Sequence, residues 1–211
     1  MYFSRITLPQ NAGENQAFWR LGGEYSIHQA VWNLFGDHAD RRRDFLYRIE
    51  SVGRFPLIYA VSARKPVDST SLWNLEIKDF NPQITNGMRL GFQLRANPTI
   101  KRQGKRHDVV MNRKKNEIQD MTKSEIVQNT CGKWLDSRSS INGFRVECLR
   151  VDGYIQHRLL KKKDVTEVRY SSVDFTGTIS IVDANLFKNM LFNGAGPEKG
   201  FGCGLMLVKI I

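Results

Sequence analysis

The sequence has little of what marks membrane, secreted or metal-binding proteins. No apolar run reaches the length of about 18 residues that a transmembrane helix needs, and residues 1–10 lack the charged-then-apolar order of a signal peptide. Its three cysteines, Cys131, Cys148 and Cys203, are far apart and have none of the spacings typical of zinc sites. We therefore expect a cytoplasmic protein with reduced thiols, without a metal, a cofactor or a membrane partner.

Three common signatures of phosphate chemistry are also missing. The glycine-rich segment 194–204 is not followed by the Gly-Lys-Ser/Thr of a P-loop. None of the four histidines begins a His-x-Thr or His-x-Ser pair, which argues against the two-histidine phosphoesterases. No cluster of carboxylates accompanies the basic residues, so the sequence does not support a Mg²⁺-dependent nuclease site.

Positive charge, by contrast, is abundant. The 32 Lys and Arg residues outnumber the 21 Asp and Glu residues and give a net charge of +11, which is typical of proteins that bind polyanions. Residues 101–115 hold seven basic side chains and one acidic one, and residues 158–169 hold five and two. Because the excess is concentrated in two segments, a docking surface for phosphates is favoured over a basic but otherwise ordinary globule.

Hydrophobic periodicity predicts an α+β fold with two tandem ferredoxin-like, or RRM-like, domains built on antiparallel sheets. The first domain is expected over residues 1–97, with strands and one helix in the order β-α-β-β and no regular second helix between 69 and 81. The fourth strand of its sheet is predicted over residues 88–95. Residues 98–120 are polar and basic, which predicts a mobile connection.

The second domain is expected over residues 121–211. A helix is predicted over 122–135, and a second, capped by Asp183, ends near residue 192. Alternation of apolar and polar residues predicts strands at 143–154 and 172–182, joined by a polar hairpin. The chain then closes with a glycine loop and a last strand, as a second and less regular ferredoxin-like domain would.

One histidine stands out as a candidate catalytic group. Tyr25 and His28 are three residues apart on the predicted first helix and share a face beside its apolar stripe. A histidine at the edge of a core suits general acid–base catalysis, because its pKa lies near cellular pH. A solvated or capping histidine is the more common explanation of such spacing, so spacing alone does not decide.

Two other segments are candidates for contacting a phosphate backbone. The glycines of segment 194–204 let backbone N–H groups approach a phosphate, or form a tight connection before an edge strand. The predicted hairpin carries Lys161, Lys162 and Lys163 and presents a cationic face suited to A-form RNA, or is a solvated charged loop. Composition leaves both alternatives open at each segment.

Four motifs in the same order resemble those of one known family. They are MYFS at 1–4, YSIHQAVWNLF at 25–35, FQLRANP at 92–98 and GAGPEKGFGCGL at 194–205. Each is weak alone, but together they span essentially the whole chain. The sequence thus resembles the CasE endoribonucleases of type I-E CRISPR systems, which belong to the RAMP superfamily. With this resemblance, catalysis by His28 and phosphate contact by the glycine loop become the favoured alternatives.

The resemblance implies a metal-independent endoribonuclease that cuts CRISPR precursor RNA on the 3′ side of the repeat stem-loop. It also implies that the protein keeps the mature guide RNA and joins the other subunits of the antiviral Cascade complex. His28 and Tyr25 match the catalytic helix of the family, and Lys161 is the hairpin residue expected to offset transition-state charge. The basic segments and the glycine loop supply the expected RNA contacts: Arg95, Lys101, Arg102, Lys105, Arg106, Arg113, Lys114, Arg158, Lys162, Lys163, Arg169, Gly194, Gly196, Lys199, Gly200, Gly202 and Gly204.

The expected reaction is attack of a ribose 2′-OH on the adjacent phosphorus, which yields a 2′,3′-cyclic phosphate and a 5′-OH. His28 either deprotonates the 2′-OH or protonates the leaving 5′-oxygen, and Tyr25 assists by hydrogen bonding. Two binding-only alternatives remain. A non-catalytic RAMP-like subunit explains the charge and the fold but gives Tyr25 and His28 no role. A basic ribosome-associated protein predicts affinity for rRNA without preference for a hairpin.

Overall fold

The N-terminal half of the chain forms one antiparallel sheet with a helix on its face. The computed structural model describes residues 1–14, 24–36, 43–52, 55–116, 121–160 and 167–211. The elements of this half are β1 (Tyr2–Thr7), α1 (Glu24–Asn33), β2 (Phe45–Val52), β3 (Phe55–Ser62) and β4 (Asn74–Asp79). The strand order is β2-β3-β1-β4, with β1 and β3 in the centre as in a ferredoxin-like domain.

The C-terminal half repeats this arrangement. Its elements are β5 (Arg89–Ala96), β6 (Thr99–Arg102), β7 (Lys105–Asp108), α2 (Val109–Asn116), α3 (Lys123–Ser139), β8 (Phe144–Leu160), β9 (Glu167–Ile181), α4 (Ala184–Asn193) and β10 (Met206–Ile210). The main sheet has the order β10-β5-β9-β8, and every pairing in it is antiparallel. The predicted class, two tandem ferredoxin-like domains with antiparallel sheets, is therefore confirmed.

The predicted strand over residues 88–95 exists, but its assignment to the first sheet is wrong. It is β5, a central strand of the second sheet, where Leu94 pairs with Phe175 and with Met206. The first sheet is completed instead by β4, an edge strand with mainly exposed or half-buried side chains and therefore a weak hydrophobic pattern. The chain thus passes from one sheet to the other between Asp79 and Arg89, ahead of the boundary predicted at residue 97.

The prediction that residues 98–120 form a mobile connection is also wrong for the described part of that segment. Strands β6 and β7 pair as a hairpin, and Gln103 and Gly104 at its tip have φ of 48° and 76°, as a tight two-residue turn requires. Helix α2 follows, with Val109 and Val110 buried in the second core. Ile100 also packs against that core, so a few apolar residues anchor a segment that is mainly polar, and its composition was misleading.

A partly buried ion-pair network joins the two sheets. Asp174 on β9 accepts hydrogen bonds from Arg95 Nε at 3.0 Å and Nη2 at 2.9 Å, and from Arg48 Nη2 at 3.2 Å. Arg95 Nη1 also donates to the carbonyl of Ile49 on β2 at 2.9 Å. An apolar cluster around Leu46 on β2 and Leu205 adds a second link. These contacts fix β2 relative to β5 and β9.

Among the helices in the described parts of the chain, none combines the length and apolar character that crossing a bilayer would need.

Candidate active site

His28 lines a cavity of about 220 Å³ where the two domains meet. It lies on α1, where Val31 is fully buried in the first core and His28 is left half-buried at the edge of the helix. The other walls come from both sheets and the glycine loop: Ile27, Tyr47, Ile49, Arg95, His157, Leu159, Tyr170, Ser172, Phe201 and Gly202. The predicted catalytic histidine therefore faces a cleft that neither domain forms alone.

A hydrogen-bond chain fixes the imidazole of His28. Its Nδ1 lies 2.9 Å from the hydroxyl oxygen of Tyr47, and that hydroxyl donates to the carbonyl oxygen of Gly200 at 2.8 Å. A carbonyl only accepts, so the single hydroxyl proton of Tyr47 is used on Gly200. His28 Nδ1 must then be the protonated nitrogen, donating to Tyr47, and in the neutral ring Nε2 carries the available lone pair.

The electrostatic surroundings keep this ring neutral. Burial is the main cause that lowers the pKa of His28 from 6.5 to about 4; the carbonyl of Gly200 partly opposes the shift and the positive charge of Arg43 adds to it. A Cβ placed on Gly200 would lie 3.9 Å from Arg43 Nη1 and 4.0 Å from His28 Cε1, so the cation and the imidazole flank the same backbone. At neutral pH the imidazole of His28 is therefore uncharged.

Aromatic rings hold the imidazole from its other side. The rings of His28 and Phe201 have centroids 4.7 Å apart, Phe201 stacks on Tyr170 at 5.3 Å, and Tyr170 stacks on His157 at 4.4 Å. Tyr25 lies beside His28 on α1 with a centroid distance of 6.0 Å. The chain of rings connects α1 to the β8–β9 pair, so a shift of either domain would move His28.

The low pKa of His28 predicts a specific dependence of stability on pH. The unfolded chain takes up the proton near pH 6.5, whereas the folded protein resists it until about pH 4. The free energy of unfolding is therefore expected to decrease as the pH is lowered from about 6.5 to about 4. Above pH 6.5, the protonation of His28 should not affect it. Denaturant unfolding of the wild type and His28→Gln across pH 4–8 measures it. A constant difference between the two proteins over that range would contradict the assignment.

The glycine loop packs directly against this site. Gly202 has a φ of +80°, and a Cβ there would lie 3.3 Å from Tyr47 Cε2, so a side chain would be strained and would press on the hydrogen-bond chain. The other predicted residues of the loop have separate places: Gly194 against Leu46, Gly196 against Trp134, Gly200 between Arg43 and His28, Gly204 against Ala195, and Lys199 donating through Nζ to the carbonyl of Asn193 at 2.6 Å.

The predicted RNA-binding side chains fall into several places. Arg106, Arg158 and Arg169 line a groove of about 380 Å³ that shares His157 and Tyr170 with the His28 cavity. Lys101 and Arg106 line a third cavity, and Arg102 and Arg113 line another beside α3. Lys105 is exposed on β7. Arg95 reaches the His28 cavity, but its guanidinium is engaged by Asp174 and Ile49.

Part of the predicted site lies outside the described residues. Lys161, Lys162 and Lys163 fall within residues 161–166, between β8 and β9 in the sequence, and the side chain of Lys114 is likewise outside the described part of the chain. Strands β8 and β9 themselves are paired as far as Leu160 and Glu167. Within the described residues, no group of three or more His, Cys, Asp or Glu side chains is arranged to hold a metal ion.

Sequence reasoning missed Tyr47, Phe201 and His157, which line the cavity, and Arg43, which lies beside Gly200. Tyr47 is fully buried on β2 and looks in the sequence like any core residue of a strand. His157 and Tyr170 are cross-strand partners on β8 and β9, and that pairing could have been found from the hairpin register. Contact between Tyr47 and Gly200, 153 residues apart, has no local signature.

Comparisons with known proteins agree over nearly the full chain. The model of a family described as "CRISPR associated protein" matches residues 1–209. The chain is 30% identical to CRISPR system Cascade subunit CasE of Escherichia coli over 86% of its length and 89% of the relative's. It is 26% identical to CRISPR-associated endoribonuclease Cse3 of Thermus thermophilus over 99% of both. A structure of Cse3 bound to a 19-nucleotide RNA superposes with a TM-score of 0.72, at 24% identity and covering 99% of this chain and 100% of that one.

Proposed function

The chain belongs to the family of CRISPR associated proteins, and we propose that it is an endoribonuclease that cuts CRISPR precursor RNA on the 3′ side of the repeat stem-loop. Its Thermus relative is named an endoribonuclease and its Escherichia relative a Cascade subunit. The observation that carries the proposal is the neutral imidazole of His28, with Nδ1 bonded to Tyr47, in a cleft that opens toward a groove lined by Arg106, Arg158 and Arg169.

His28 acts as the general base in this proposal. Its Nε2 takes the proton of the ribose 2′-OH while the 2′-oxygen forms a bond to phosphorus and the bond from phosphorus to the 5′-oxygen breaks. The leaving oxygen takes a proton from water, so the products are a 2′,3′-cyclic phosphate and a 5′-OH. Tyr47 acts as a positioning residue, since its hydroxyl oxygen accepts the hydrogen bond from Nδ1–H and so keeps the lone pair on Nε2. This favours the base over the acid role that the sequence left open.

Cations near the imidazole would stabilise the charge that develops on the phosphate. Arg43 is one such group, because it flanks Gly200 together with His28. Lys161 remains a sequence-based candidate for the same task from the hairpin tip, and Tyr25 for a hydrogen bond to the nucleophile or the phosphate. Preorganised positive charge of this kind is worth more in a cleft that excludes water than on an open surface.

The same surface explains why the product would stay bound. Cleavage leaves the phosphate contacts of the stem unchanged, so the groove lined by Arg106, Arg158 and Arg169 keeps the RNA after the cut. The bound guide RNA would then enter a Cascade complex together with the other subunits. The proposal includes a cytoplasmic location, where the precursor transcript and those subunits would meet the protein.

A cleavage assay tests this proposal. Purified protein is incubated with an end-labelled repeat hairpin, with and without EDTA, and with a matched unstructured RNA as control. We expect one cut at the 3′ base of the stem, a 2′,3′-cyclic phosphate end, and equal rates with and without chelator, because the described acid–base groups need no metal. Tight binding without a cut would favour the non-catalytic subunit. Loss of cleavage in EDTA would contradict the metal-independent mechanism.

A further inference from the structure

A strongly cationic cavity lies beside Gly196 and Pro197 of the glycine loop, whereas His28 lies near Gly200 of the same loop. Its volume is about 310 Å³, and its walls come from the β6–β7 hairpin, α3 and the loop: Thr99, Lys101, Arg106, Arg138, Gly196 and Pro197. Three of these six residues are cationic and none is acidic. Gly196 in this wall and Gly200 beside His28 belong to the same short loop, so the loop touches both places.

The cavity continues the groove that leads away from the active site. It shares Thr99 and Arg106 with the groove of about 380 Å³, and that groove shares His157 and Tyr170 with the His28 cavity. The three concavities therefore adjoin one another in turn, from the His28 cavity through the groove to the cationic cavity.

The β6–β7 hairpin places like charges opposite each other. Lys101 pairs directly with Arg106 across the two strands, and Arg102 pairs with Lys105. Like charges placed directly opposite each other destabilise a strand pair, and two consecutive pairs of this kind have no benefit for folding. Successive side chains on a strand point to opposite faces, and only the Lys101–Arg106 pair lines the cavity; an anion held between that pair and α3 would reduce its repulsion.

Arg138 on α3 is the third cation, and part of its guanidinium is buried without a hydrogen-bond partner among the described residues. Its guanidinium lies over the ring of Trp134 at 4.6 Å, and the residue lines the cavity. The buried atom is Nε, and burial lowers the pKa of the side chain. A buried donor without an acceptor costs free energy unless a ligand supplies one. Trp134 in turn donates to the carbonyl of Thr99 at 3.1 Å, tying α3 to β6.

We infer that Lys101, Arg106 and Arg138 form a phosphate subsite. It binds the RNA backbone at a position separate from the scissile phosphate. The inference rests on the proposed function for the identity of the ligand, since the polyanion is the CRISPR RNA. Lys101 and Arg106 provide charge at the mouth, and Arg138 provides a positioned donor at the wall. The subsite adds affinity but takes no part in the chemical step.

Binding measurements on Arg138→Ala test the subsite. We expect the dissociation constant for the repeat hairpin to rise about tenfold, and the slope of log affinity against log salt to decrease by about one. The single-turnover cleavage rate at saturating protein should stay within about twofold of the wild type, because the subsite is remote from His28. Arg89→Ala is the matched control. Arg89 begins β5, at the end of that strand far from the β6–β7 hairpin, and it pairs with Glu147. Unchanged affinity and salt slope in Arg138→Ala would overturn the inference.

A measurement without RNA separates this inference from the proposed function. Inorganic phosphate, compared with chloride at equal ionic strength, is expected to raise the Tm of the wild type and Arg89→Ala more than that of Arg138→Ala, by mass action on the folded state. This result together with an absence of cleavage would refute the nuclease and support the subsite. Equal phosphate effects on all three proteins, with cleavage intact, would refute the subsite and leave the nuclease standing.

Discussion

Replacing His28 with alanine is expected to lower the single-turnover cleavage rate by about 10²- to 10⁴-fold, the usual contribution of a general base. The variant removes the Nε2 lone pair and leaves the hydroxyl of Tyr47 bonded only to Gly200. The affinity for the repeat hairpin should stay within about threefold, because the groove cations are untouched. Rates measured with enzyme in excess over labelled RNA give the chemical step, and filter binding gives the dissociation constant.

Gln29→Ala is the matched control for that variant. Gln29 is the next residue on α1 and is exposed, so its truncation tests whether any change in the helix slows cleavage. We expect wild-type rates from it. A His28→Ala protein that cleaves as fast as Gln29→Ala would refute the catalytic assignment. A His28→Ala protein that no longer binds the hairpin would show that His28 contributes to RNA affinity as well as to cleavage.

Replacing Asp174 with alanine is expected to lower the free energy of unfolding by about 3 kcal/mol, because it leaves two guanidinium groups between the sheets without their shared carboxylate. The side chains of Arg48 and Arg95 are 5% and 29% exposed. Arg48 keeps Glu50 as a partner, whereas Arg95 keeps its hydrogen bond to the carbonyl of Ile49. Urea unfolding followed by circular dichroism measures the change.

Glu76→Ala provides the comparison for this second prediction. Glu76 on β4 pairs with Arg5, but the two side chains are 63% and 46% exposed, and surface pairs contribute only about 0–1 kcal/mol. A loss in Asp174→Ala no greater than that in Glu76→Ala would mean that the network does not hold the domains together. Cleavage by the folded fraction of Asp174→Ala should also decline, because β2 carries Tyr47 and β9 carries Tyr170 on the two sides of the cavity.

Local patterns in the sequence were sufficient for most elements of the fold. Helix α1, the cap at Asp183 and the β8–β9 hairpin all follow from spacings of a few residues, and the capping side chain of Asp183 does accept from Asn185 and Leu186. The order of motifs predicted the CRISPR family, which the match over residues 1–209 confirms. The roles assigned to His28, Tyr25, Lys161 and the residues expected to contact RNA stay predictions.

The sequence by itself determined the two-domain class, the charge that suits RNA, and the position of His28 on a helix edge, because these depend on composition and on short-range periodicity. Tertiary structure alone decided which sheet takes the strand at Arg89–Ala96, that the basic segment folds as a hairpin, and that Tyr47 fixes the tautomer of His28. Strand pairing and hydrogen bonds between residues as distant as Tyr47 and Gly200 depend on how whole domains pack. That packing leaves no local pattern in the chain.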